Sequence, residues 1–333
     1  ERSIMQQANR KLYVGMHDGV CVVTSSDAGR TWKQGQVTSL AHAAARLTAS
    51  ASNSQRAYLA AYEAGVYRTD DGGSTWQPLA SYPSDYAHSV VVHPGDAQSV
   101  FVGSEPAAIF HSGDGGETWA EYPGFRAVPE SSQWGFHAET RESHVRDLTM
   151  DPVDPDHLYA GIEVGGMVSS VDGGSSWKQL PGLHDDIHCV NLSQSRPNCV
   201  YVATARSPYR SDDAGESWET INEGLDRRYT LHIAAAPDDA DLVLVTVSTN
   251  ARRQNPQFYR SVDAGRHWQL IDSVGSDEDM VVAIDWDSAE PNRVYAGTDG
   301  GKIFCSEDRG VSWEPISASV STIAVGAMVV GTG

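Results

Sequence analysis

Five of the twelve histidines in this 333-residue chain stand at one recurring kind of position: His42, His88, His144, His188 and His232. They follow the tryptophan of an octapeptide, S/T-x-D-x-G-x-x-W, by 10, 12, 25, 11 and 14 residues. Counted back from the apolar run that comes next, His88, His188 and Arg146 share one register, and His42, His144 and His232 lie within about three residues of it. The recurrence places imidazoles on successive copies of one structural unit. Neutral imidazoles are ligands for Zn, Cu, Fe or Ni, and single ones serve as acids or bases near neutral pH. These five are therefore candidate ligands of a divalent transition metal whose identity the sequence leaves open.

Carboxylates stand at a matching place, the end of the second apolar run of each unit: Glu63, Glu105, Glu163 and Asp299, with Asp18 in the first. A carboxylate there can accept the far N–H of an imidazole and orient the ring. The densest ligand-type stretch is His184-Asp185-Asp186-Ile187-His188, and His137, Glu139, Glu142 and His144 form another. Arg46, Arg146, Arg227, Arg228, Arg252 and Arg253 fall in the same loops or register and suit anion recognition. Tyr62, Tyr86, Trp134, Phe136, Tyr209 and Tyr229 lie nearby and can stack on a flat substrate. The expected roles are catalytic for His88, His188, Arg146 and Glu163, and substrate-binding for Arg46, Trp134, His137, Arg228 and Arg252. The structural alternative is that the imidazoles cap strand starts, while the arginines pair with Asp226, Asp277, Glu278 and Asp279 at a solvated rim.

The elements that carry these residues follow from the octapeptide. Its seven copies are Ser25–Trp32, Thr69–Trp76, Ser112–Trp119, Ser170–Trp177, Ser211–Trp218, Ser261–Trp268 and Ser306–Trp313, with aspartates 44, 43, 58, 41, 50 and 45 residues apart. A period in this range means stacked supersecondary units. Each unit has an apolar run such as Ser89–Val92, a second such as Val100–Gly103 or Val294–Gly297, and a third such as Val66–Arg68 or Ile303–Cys305. The octapeptide then turns the chain into a fourth strand. Short β-forming runs bounded by Gly, Pro, Asn and Asp, with no sustained helical period, are strands. The expectation is an all-β, seven-bladed propeller of four-stranded antiparallel blades.

Only two good runs, Leu12–Met16 and Val20–Thr24, precede the first octapeptide, and Thr322–Val330 is an orphan strand after the last. That C-terminal strand is expected to become the innermost strand of the N-terminal blade, closing the ring and removing open sheet edges. Residues 1–333 thus read as one domain. Pro123–Ser143 is an inserted loop expected to lie over the pocket, and Ser248–Gln257 enlarges a turn of the sixth unit.

Within the octapeptide the Ser/Thr hydroxyl and the Asp carboxylate bond across their own turn, Gly permits positive φ, and Trp packs between blades. These residues resemble the Asp-box, or BNR repeat, of the sialidase and glycosyl-hydrolase-like propellers, in all seven copies. That resemblance implies that the boxes lie on the face opposite the binding site, so that the histidines gather at the binding face. Relatives of this kind include sialidases, other glycosidases, sortilin-type receptors and a photosystem assembly factor. A true sialidase is not expected. The nearest match to its Phe/Tyr-Arg-Ile-Pro motif, Phe125-Arg126-Ala127-Val128-Pro129, is one residue too long and stands in the wrong loop. Sialidases also have six blades.

Net charge is −20 with a sequence pI near 4.8, which argues against nucleic acid or an anionic membrane as partner. Cys21, Cys189, Cys199 and Cys305 sit in apolar runs as buried thiols do, and a Cys189–Cys199 pair stays open. No signal peptide or 18-residue apolar run is present, and the expected compartment is the cytoplasm. No nucleotide or flavin motif appears. The leading expectation is an enzyme acting on a small anionic or polyhydroxylated substrate in an axial pocket, with or without a metal. The alternatives are a non-catalytic scaffold that binds a protein partner, and a glycoside hydrolase using Glu63, Glu105 or Glu163 as paired carboxylates.

Overall fold

A computed structural model describes residues 9–135 and 142–331. Seven antiparallel sheets, here blades I to VII in chain order, are formed by the described residues. Their innermost strands are Met328–Gly331 (I), Ala44–Ala49 (II), Ala87–His93 (III), His144–Met150 (IV), Ile187–Leu192 (V), Tyr229–Ala236 (VI) and Val281–Trp286 (VII). Each innermost strand packs against those of the neighbouring blades, so the seven enclose an axis. The second strands, for example Ala57–Ala61, Leu158–Glu163 and Val294–Thr298, are buried along their whole length. No described helix is long and apolar enough to cross a membrane.

Closure is as the orphan strand predicted, with a shorter strand than expected. Met328–Gly331 pairs antiparallel with Arg10–Gly15, Leu12 facing Val330 and Val14 facing Met328. The preceding residues are a loop rather than strand, because Ile323, Ala324 and Ala327 turn inward and are buried at the axis. Blade I also gains an unanticipated two-residue strand, Thr38–Ser39, paired with Gly19 and Val20.

The boxes are hydrogen-bonded turns between third and fourth strands. In blade V, Ser211 Oγ donates to Asp213 Oδ1 (2.7 Å), and Asp213 also accepts from the backbone N–H (2.8 Å) and hydroxyl (2.6 Å) of Ser217. Those bonds, led by the Ser217 hydroxyl, hold the Asp213 carboxyl at about 2. The box tryptophans reach back to the preceding blade: Trp76 meets Tyr13 edge-on at 5.9 Å, and Trp313 meets Phe258 at 5.5 Å. An aromatic on each second strand completes the seam in six blades, at Tyr13, Tyr58, Phe101, Tyr159, Tyr201 and Tyr295. Tyr58 and Tyr201 donate their hydroxyls to Ala97 O (2.8 Å) and Ala240 O (2.7 Å) of the next blade.

Strand direction decides which residues share a face. The third strand ends at the box, the fourth runs back, and the next innermost strand therefore starts at the opposite face. The strand starts that carry the histidines are at that opposite mouth.

The described part of the insert forms two short helical turns, Pro123–Arg126 and Pro129–Gln133. Its buried Phe125 packs on Trp134 and on the box residue Trp177, which ties Pro123–Gly135 to the flank of blade IV. The cysteines are all free thiols, so Cys189 and Cys199 do not pair.

Candidate functional site

A charged pair, Arg46 with Asp147, stands at the mouth. Arg46, on the innermost strand of blade II, is 8% exposed and extends across the axis. Its Nε lies 3.3 Å from Asp147 Oδ1 on blade IV, Nη2 donates to His188 O on blade V (2.9 Å), and Nη1 donates to Val325 O in the closing loop (2.6 Å). Asp147 Oδ2 in turn accepts the Val190 N–H at 2.8 Å. A guanidinium committed on three sides is a brace. Gly326, at φ +66°, makes room for it: a Cβ there would stand 2.4 Å from Arg46 Nη1.

Above this brace lies a recess of about 290 Å³ lined by Arg46, Tyr62, His88, His144, Arg146 and Val325, among others. Its His88, His144 and Arg146 belong to a run of alternating bases and acids that crosses blade boundaries. His88 Nε2 is 3.0 Å from Glu105 Oε2, and the same oxygen is 3.5 Å from His144 Nδ1 in the next blade. The other ring nitrogen of His144 is 3.2 Å from Glu163 Oε2, and Arg146 Nη1 donates to that oxygen as well. The His88 and His144 rings stack at 3.8 Å with planes 22° apart, and Tyr62 meets His88 edge-on at 5.1 Å. Burial pushes the His88 imidazole down to about 4 against the pull of Glu105, so it is neutral at pH 7. Burial also opposes charge on Arg146, but Glu163 outweighs it and the guanidinium is held more firmly protonated.

The five histidines do not converge on one point. His88 and His144 come together with Glu105 as the metal-ligand-type group among the described residues. His42 stands at the exposed rim, 3.0 Å from Glu63. His188 is buried, with Nδ1 2.7 Å from Thr230 O of the next blade and Nε2 3.3 Å from the Tyr229 hydroxyl. His232 is fully enclosed, and burial, reinforced by Arg46, pushes it down to about 4. The carboxylate register holds in blades II to IV, where Glu63, Glu105 and Glu163 each meet the histidine of their own blade.

The substrate-binding set disperses. Arg228 and Arg252 are exposed, in the loops before Tyr229–Ala236 and after Asp239–Ser248, and Trp134 packs on Phe125 and donates its indole N–H to Gln179 (3.3 Å). His137 lies outside the described residues, as does Glu139. At the rim Arg227 approaches Asp226 at 3.9 Å as expected, while Asp279 faces Lys302 and Arg253 faces Asp299. Asp147 was missed altogether. Its one signal is a second charge in His144–Met150, on a strand otherwise buried at the axis.

With this geometry in place, the chain can be set beside known proteins. A family profile described as Sortilin-Vps10, sortilin, neurotensin receptor 3, matches residues 21–145. The chain is a seven-bladed β-propeller that is similar to BNR-type propellers. Among solved structures, an ancestral GH74 enzyme is 20% identical with a TM-score of 0.64, over 79% of this chain and 36% of that one. The GH74 xyloglucanase of Xanthomonas campestris is 15% identical with a TM-score of 0.57, over 93% of this propeller and 59% of that chain. YCF48 bound to a D1 peptide is 19% identical with a TM-score of 0.58, over 82% of this propeller and 81% of that chain. The propeller therefore spans about a third of the ancestral enzyme it resembles. Likeness at these identities shows the fold alone. No curated protein matches in sequence.

Proposed function

We propose that this propeller binds, in the recess opposite its boxes, a ligand that presents a carboxylate or similar small anionic group. Arg146 carries the reading. It lines the recess with Nη1 on Glu163, while its buried Nε makes no hydrogen bond among the described residues. The guanidinium is 23% exposed at the recess and is bonded to Glu163 through Nη1, so its outward N–H groups can meet a planar anion. Arg46, which lines the recess, adds a second cation braced by Asp147. In a chain of charge −20, a cationic spot walled by imidazoles concentrates anions locally.

The comparisons support a binding role in one respect. YCF48, matched over 81% of its chain, is similar in fold and was solved bound to a D1 peptide. The glycosidase alternative finds less support. Glu105 and Glu163 flank opposite nitrogens of the one His144 ring rather than facing each other across open space.

The test is calorimetric binding of matched ligands: glucuronate against glucose, and glutamyl dipeptides against their amides. The carboxylates should bind at least tenfold more tightly, and Arg146→Gln should erase the difference. Equal binding of charged and neutral members, or an unchanged preference in the variant, defeats the proposal.

A further inference from the structure

We infer that His88, Glu105 and His144 form a binding site for a divalent transition metal ion of the zinc type. His88 Nε2, Glu105 Oε2 and His144 Nδ1 all lie within 4.8 Å of one another, with the two nitrogens 3.0 and 3.5 Å from the shared oxygen. Ligands about 2.0–2.2 Å from a tetrahedral zinc stand roughly 3.3–3.6 Å apart, so the trio has nearly the required size.

The donors are also of the right kind and state. His88 Nε2 and His144 Nδ1 are buried and make no aligned hydrogen bond among the described residues. Buried ring nitrogens normally have a partner. His144 is the stronger witness, with its side chain only 1% exposed. Its far nitrogen lies 3.2 Å from Glu163 Oε2, which Arg146 holds in place. A carboxylate on the far N–H of a histidine fixes the tautomer whose other nitrogen offers a lone pair, and this is the usual support of a metal-ligating imidazole. Glu163 and Arg146 thus act as positioning residues.

Three protein ligands with a fourth position open to a recess is the pattern of a catalytic rather than a structural zinc site. When bound, such an ion lowers the pKa of a coordinated water toward neutrality and polarises a ligand carbonyl. The stacking of the two rings sets a condition on capture. Ring lone pairs lie in the ring plane, so the His88 ring must turn out of its stack on His144 to share an ion with it. The competing arrangement is a His–Glu–His cluster that shares protons and takes no metal.

The experiment is titration of the chelator-treated full chain with Zn²⁺ alone by calorimetry, and with Co²⁺ alone by visible absorption. One equivalent of zinc at micromolar affinity or tighter, with the intense ligand-field bands of four-coordinate cobalt, is expected. His88→Ala should weaken binding at least a hundredfold. Glu163→Gln should weaken it about tenfold while keeping the stoichiometry. His42→Ala, at the rim, should change nothing. Circular dichroism confirms that each variant is folded, and Glu163→Gln serves if His88→Ala is not. Absence of binding by the wild-type chain overturns the inference, as does wild-type affinity in either folded variant, His88→Ala or Glu163→Gln. Because zinc and the carboxylate ligands are titrated separately, failure here leaves the anion reading standing, and the converse holds too.

Discussion

The guanidinium of Arg46 leaves blade II and bonds to blades IV and V and to the closing loop, so one side chain ties four parts of the ring together. Sequence order suggested a substrate clamp, because an arginine near a strand start at a ligand face invites that role. Its partners lie 101, 142 and 279 residues away, and no local pattern reveals them. Truncating it leaves Asp147 buried without its cation. Arg46→Ala should cost about 3–5 kcal/mol, whereas Arg46→Met with Asp147→Asn should recover most of that loss. Chemical unfolding of the two variants reads the difference. If the single variant is as stable as wild type, the pair is not a brace.

At the scale of elements, the box turn is the unit that repeats. Its aspartate acts through hydrogen bonds within the turn, which explains why seven copies tolerate different residues at the variable positions. Asp308 accepts the Ser306 hydroxyl (2.8 Å) and both the N–H (2.8 Å) and hydroxyl (2.6 Å) of Ser312. Burial works against its charge, but the Ser312 and Ser306 bonds prevail and its carboxyl is held below the usual range. Asp308→Ala should lower the melting temperature clearly, and Asp308→Asn, which keeps one acceptor, by less. Neither should alter ligand preference, since the boxes are on the far face from the recess. Differential scanning calorimetry with the ligand pairs named above checks both halves. A box variant that loses binding while its stability is intact would contradict the separation of faces.

For the whole molecule the question is how the ring stays shut. Val330, on the closing strand, donates its N–H to Asp285 Oδ2 of blade VII at 2.6 Å. Asp285 is half-buried, and burial pushes its carboxyl up to about 7 against the pull of that bond. A carboxyl raised in the folded state binds its proton there while the unfolded chain has already lost it. Stability contributed this way is present at low pH and is lost as pH rises toward and through 7. Asp285→Asn keeps an acceptor for Val330 without a titrating charge. The variant should gain melting temperature over wild type progressively from pH 4 to pH 8, and a gain independent of pH would refute the assignment. Val330→Pro removes the N–H and should loosen the ring at every pH, read as a broadened thermal transition.

The chain's own order of residues determined the repeat, the blade number, the face on which histidines gather and the need for a C-terminal strand to complete blade I. Each of these follows from local spacing, because turn chemistry and strand alternation act over a few residues and a rigid ring multiplies them by seven. The pairing of His42, His88 and His144 with carboxylates of their own blades was legible for the same reason, since both partners sit at fixed points of one antiparallel sheet. Only the folded ring decided which residues meet across blades. Glu105 reaching His144, His188 turning to the Thr230 carbonyl, and Arg46 bonding to Val325 depend on side-chain length, blade tilt and the path of the closing loop. Contacts of that kind join residues dozens to hundreds of positions apart, where no period in the sequence records them, and they divide five histidines into two at the recess and three outside it.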